Sequence, residues 1–155
     1  SADETGVLGL NMHSNGAKGE VLTCGSRSNG NFLLGRKPEF GYMAMDGQEV
    51  FKFAVKKVPE CISQVLEDTG YITGDIDHFI IHQANYRIIE SIAKRLKVDI
   101  EKFPVNMEHY GNTSGASVPI LLDELNQAGK LKRGERIVLS GFGAGLTWGA
   151  LLLEW

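Results

Sequence analysis

IDHFIIHQANYRIIESIAKRL, residues 76–96, changes its apolar spacing once, and that change decides the fold class. Ile76 to Ile81 reads as a strand. From Tyr86 to Leu96 the apolar residues Ile88, Ile89, Ile92, Ala93 and Leu96 fall on one helical face, with Arg87, Glu90, Lys94 and Arg95 on the other. Asn85 is the predicted N-cap of that helix. A strand feeding an amphipathic helix is the unit of an α/β layer.

Outward from this unit the same reasoning assigns the rest. Toward the C-terminus a helix begins within Ser114 to Ser117, holds Pro119 in its first turns and stops at Gly129. Arg136–Ser140 and Leu146–Leu153 are two strands joined by Gly141-Phe142-Gly143-Ala144-Gly145, a connection too short to cross over, so the pair is antiparallel. Toward the N-terminus, Val7–Met12 reads as a short strand. Ser14–Gly41, rich in Gly, Asn and Ser, is a long surface excursion. From Val50 the apolar positions Val50, Phe51, Phe53, Ala54, Val58, Ile62, Val65 and Leu66 predict a helix that Pro59 bends or divides and Gly70 closes. The order β-α-β-α-α-β-β predicts a mixed sheet with helices on both faces.

The 155 residues, 43% of them hydrophobic, suit one domain, which at this size buries roughly 68–70% of its unfolded surface. Cys24 and Cys61 are too few for a disulfide framework, so an intracellular setting is expected. A net charge of −3 gives no general attraction to nucleic acid. No apolar run reaches the length of a membrane span. The chain opens on Ser1 rather than Met, and a native start elsewhere is expected.

His82 stands at the carboxyl end of a strand, the edge where open α/β sheets collect ligands. The following helix N-terminus opposes a positive charge there, which predicts a neutral imidazole acting as an N–H donor. His78 and His82 have the i, i+4 spacing of a helical zinc site, but in a strand the same spacing separates the side chains by about 13 Å. No metal is expected. Asn112, between Gly111 and a helix start, is by itself a turn or cap residue. Paired with His82 it supplies a second donor to one developing oxyanion. The turn at Gly143-Ala144-Gly145 is either a plain hairpin or a backbone N–H for a second oxyanion. No Walker lysine motif, dinucleotide loop or Gly-x-Ser-x-Gly elbow is present. Lys52, Lys56 and Lys57 with Arg87, Lys94 and Arg95 are either solvated faces or the rim of a site for an anionic partner.

Four segments in order resemble the C-terminal half of the β-ketoacyl-acyl carrier protein synthase III family. They are Met45–Lys52, His82–Ile88, Tyr110–Ser117 and Gly141–Gly149. The resemblance implies a thiolase-like half, a mixed five-stranded sheet covered by helices on both faces. It implies a fatty acid synthesis enzyme, cytoplasmic and homodimeric, that condenses an acyl-CoA primer with malonyl-acyl carrier protein and needs no cofactor beyond its thioester substrates. His82 and Asn112 are then two members of a Cys-His-Asn triad, and Ala144 offers the second oxyanion N–H. Gly47, Gln48, Phe51 and Asn85 line the pantetheine or CoA path. Gln83, Ala84, Asn85, Tyr86 and Arg87, with Lys52, Lys94 and Arg95, meet the carrier protein. The chain departs from the family pattern at Gly115, Ala144 and Gln48. The triad cysteine belongs to the N-terminal half, and neither Cys24 nor Cys61 sits in its motif. That half is an expected partner, and without it the chain is expected to be inactive. A noncatalytic CoA- or carrier-binding module, or a condensing enzyme with a different starter, are the alternatives.

Overall fold

A computed structural model describes residues 6–155 apart from Ser26, Asn29 and Pro38. In chain order its elements are β1 (Gly6–Ser14), β2 (Leu22–Cys24), β3 (Arg27–Ser28), β4 (Glu39–Phe40), β5 (Met43–Met45), α1 (Gly47–Thr69), β6 (His78–Ile81), α2 (Tyr86–Leu96), α3 (Met107–Tyr110), α4 (Ser117–Gln127), β7 (Arg136–Gly143) and β8 (Thr147–Glu154). The main sheet has the order β1-β8-β7-β6; β6 and β7 are parallel and the other neighbours antiparallel.

The sheet is mixed, as expected, but among the described residues it has four strands rather than five. The excursion from Ser14 to Gly41 adds none. The strands in it and just after it are two or three residues long and form separate small ribbons, β2 with β5 and β3 with β4.

Helices do cover both faces. Phe79 and Ile81 of β6 point into a core shared with Ala54, Val58, Ile62 and Val65 of α1 and with Ile88, Ile89 and Ile92 of α2. Ile80, of opposite parity, joins Leu121 and Leu125 of α4, Leu131 and Ile137 on the other face. A parallel strand buried on both sides needs such an unbroken apolar run.

Asp46 caps α1 by accepting from the Gln48 and Glu49 N–H groups, both at 3.0 Å, and Gly70 at φ 76° ends it. Pro59 does not divide this helix, which runs unbroken for 23 residues. The lost hydrogen bond at Pro59 is outweighed by an apolar face buried on both sides of it, from Val50 to Leu66.

Candidate active site

Three segments far apart in sequence meet at His82. Its backbone N–H donates to Ser140 O at 2.8 Å, which carries the β6–β7 pairing one residue past the strand. Its half-buried ring has Nδ1 2.5 Å from Ser117 Oγ, at the start of α4, and packs edge-on against Phe142 of β7 with centroids 5.2 Å apart. Burial pushes the His82 pKa below its ordinary 6.5, favouring the neutral ring. Desolvation of the charged ring is the cause.

The next residues fix this corner. Gln83 is 1% exposed; its Nε2 donates to Ile81 O at 2.8 Å and to Pro104 O at 3.5 Å, while its Oε1 accepts from Asn106 N at 3.2 Å. Asn106 in turn donates through Nδ2 to Glu124 Oε2 of α4 at 2.8 Å. The end of β6, the segment before α3, and α4 are thus tied through buried polar groups that satisfy one another. Asn85 caps α2, accepting from Arg87 N at 2.8 Å.

Asn112 follows α3, whose chain turns at Gly111 with φ 65°. It is exposed, five positions before the serine that touches His82. Its Oδ1 accepts from Ser114 N at 2.9 Å. The acceptor end is therefore occupied, and Nδ2 has no partner among the described residues. At the third segment, Ala144 lies exposed in the turn between β7 and β8, and its carbonyl accepts from Thr147 Oγ1 at 3.0 Å. The Ala144 N–H has no acceptor among the described residues. This turn is shorter than the glycines suggest, because Gly141, Phe142 and Gly143 stay in register with Gly149, Trp148 and Thr147.

The other predicted residues divide. Gly47 and Gln48 are exposed at the start of α1, and Phe51 is half-buried against the core. Tyr86 and Arg87 are exposed on α2, as are Lys94 and Arg95, and Lys52 is exposed on α1. Lys52 pairs with Glu49 at 2.9 Å and Lys94 with Glu90 at 3.2 Å. Arg87 and Arg95 have no carboxylate partner among the described residues. Gln83 requires correction as a carrier-protein contact: its side chain is interior and spent on the corner it builds. Ala84 likewise packs partly against the core. His78 sits 3.4 Å from Glu135, on a different element pair from His82's partners. Cys61 is buried in α1, donating to Asn11 O at 3.4 Å, and burial pushes its thiol pKa up, the opposite of an activated nucleophile. Cys24 is exposed on β2.

Sequence reasoning gave no role to Ser117, Phe142 or Asn106. Ser117 carried the only available signal, a hydroxyl on the first turn of a helix that begins just after Asn112. Phe142 was hidden by reading its glycine neighbours as a loop.

The family model described as 3-oxoacyl-[acyl-carrier-protein] synthase III C terminal matches residues 66–155. A beta-ketoacyl-[acyl-carrier-protein] synthase III of Clostridium novyi is 47% identical over 155 aligned residues, covering 99% of this chain and 48% of that relative. The crystal structure of 3-oxoacyl-[acyl-carrier-protein] synthase III from Aquifex aeolicus superposes with a TM-score of 0.87 at 40% identity, covering 100% of this chain and 46% of the other. The Pseudomonas aeruginosa structure gives 0.89 at 35% identity, again over 100% of this chain and 46% of the other. The chain spans about half the length of the relatives it matches.

Proposed function

Because the chain belongs to the 3-oxoacyl-[acyl-carrier-protein] synthase III C-terminal family, with its thiolase-like fold, we propose that it is the oxyanion-binding half of a decarboxylating condensing enzyme. The N-terminal half supplies the cysteine that carries the acyl group. Malonyl-acyl carrier protein enters with its thioester carbonyl between His82 and Asn112. As the bond to the carboxylate breaks, carbon dioxide leaves and the bonding pair passes into the enolate. The carbonyl oxygen gains negative charge, which the His82 Nε2–H and the Asn112 Nδ2–H stabilise. The enolate carbon then attacks the acyl-cysteine carbonyl. Its oxygen is held by the Ala144 N–H, and the tetrahedral adduct collapses by expelling the cysteine thiolate. The product is a β-ketoacyl thioester two carbons longer than the acyl group. The primer is an acyl-CoA, and the reaction initiates fatty acid synthesis.

The observation that carries this reading is the meeting of β6, the start of α4 and β7 at one neutral imidazole. A proton-carrying histidine would gain from a carboxylate partner; His82 has a hydroxyl and an aromatic edge instead. Asn112 Nδ2, without a partner among the described residues, supports a second neutral donor. Arg87 and Arg95, exposed on α2 and without a carboxylate partner among the described residues, suit an acidic carrier protein at the site's rim. The intact enzyme works as a cytoplasmic homodimer without metal or redox cofactor.

The test is malonyl-thioester decarboxylation after adding the N-terminal half. His82→Ala and Asn112→Ala should each lower kcat by about 10²–10³, the usual loss of one oxyanion donor. Unchanged turnover in either variant removes that residue from the mechanism. A complementing half that lacks the cysteine would instead favour a noncatalytic binding module.

A further inference from the structure

Ser117 is the first residue of α4, and it is 2% exposed. Hydroxyls on helices commonly close back on their own backbone. Ser91 does so in α2, bonding Arg87 O at 2.7 Å, and Thr69 does so in α1, bonding Val65 O at 2.7 Å. Ser117 does not. Its Oγ accepts from the Gln83 backbone N–H at 3.2 Å and stands 2.5 Å from His82 Nδ1.

A serine hydroxyl has one hydrogen to give and two lone pairs to fill. Gln83 N–H fills one of them. Among the described residues the one acceptor in reach of the hydrogen is His82 Nδ1. A buried hydroxyl hydrogen is rarely left without an acceptor, so Ser117 donates and Nδ1 accepts. The neutral ring then carries its hydrogen on Nε2, because the bond at one ring nitrogen decides the state of the other. Nε2 has no partner among the described residues and is free to donate.

We infer that Ser117 is the positioning residue that fixes His82 as the Nε2–H tautomer, with the Gln83 N–H orienting the Ser117 hydroxyl. This deepens the oxyanion reading and rests on it for its catalytic meaning, but the tautomer itself is a separate observable. The arrangement selects a donor without adding charge. A carboxylate at Nδ1 would instead accept from it, selecting the Nδ1–H tautomer and favouring the imidazolium; a donating hydroxyl leaves the ring hydrogen on Nε2 and the ring neutral.

The experiment is NMR of this chain, ¹⁵N-labelled at histidine and paired with its N-terminal half, above the His82 titration, with Ser117→Ala and Ser117→Thr. The wild type should show one neutral tautomer, protonated at Nε2, whose Nδ1 signal is displaced by an accepted hydrogen bond. Ser117→Ala should remove that displacement and populate the Nδ1–H form, and Ser117→Thr should restore the wild-type pattern. A predominantly Nδ1–H ring in the wild type overturns the inference whatever the variants do, including one that fails to fold. So does a Ser117→Ala spectrum in which the His82 nitrogens are unmoved. With the N-terminal half added, Ser117→Ala should lower kcat for decarboxylation by about ten- to a hundredfold, with KM little changed and threonine rescuing it. If the tautomer responds as stated but His82→Ala decarboxylates at the wild-type rate, the oxyanion reading fails and the catalytic role of Ser117 goes with it.

Discussion

At the scale of single residues, the state of His82 follows from burial. Its native pKa lies below 6.5, so at pH 6.5 the folded ring is mostly neutral while an unfolded chain is about half protonated. As pH falls from there the unfolded state binds protons first. This group's contribution to stability therefore declines between 6.5 and the lower native midpoint, and then levels off. An NMR titration should place the His82 midpoint below 6.5, and decarboxylation should persist to that lower pH. A midpoint at or above 6.5 contradicts a neutral donor. That His82 follows a strand and Asn112 lies in a glycine-flanked turn was legible in the sequence, because the apolar run stops at Ile81 and Gly111 breaks the chain. Gln83 is interior because its amide ties the corner, and a polar residue after a strand has the same appearance in sequence whether it faces a partner or the inside.

Among the elements, α1 and β1 pack closely at Gly9. A Cβ at Gly9 would fall inside van der Waals distance of Thr69 Cγ2 and 3.1 Å from Val65 Cγ2. Thr69 cannot swing aside freely, since its hydroxyl bonds Val65 O at 2.7 Å and Leu66 O at 3.1 Å. Gly9→Ala should cost about 1–3 kcal/mol in urea unfolding, and a cost near zero would mean that helix and strand separate easily. The helix α2 could be read from sequence to its observed ends, Tyr86–Leu96, because periodicity, an Asn cap and a basic last turn agree. The ribbons within Ser14–Met45 could not. Strands of two or three residues have no periodicity to detect, and their pairing depends on where the chain returns. Pro59 misled for a related reason: its local cost is visible in the sequence, while the packing that outweighs it is long-range.

Across the molecule, one sheet face is incompletely covered. Leu10 is opposite Leu151, which is opposite Leu139, so all three share the side that α4 covers only in part. Met12, two residues on, is 70% exposed. Leu33, on the excursion, and Tyr42, just after it, are 92% and 93% exposed. Such a surface predicts that the chain alone self-associates or aggregates, and that its N-terminal half suppresses this. A monodisperse monomer at high concentration in sedimentation velocity would contradict that expectation. Two neutral N–H donors, from the end of β6 and from the turn before α4, are proposed to converge on one thioester oxygen. A crystal structure of the two halves with a non-hydrolysable malonyl-thioester analogue tests it most directly. The account predicts His82 Nε2 and Asn112 Nδ2 both within about 2.7–3.1 Å of that oxygen. An analogue bound with its carbonyl turned from either nitrogen would contradict it.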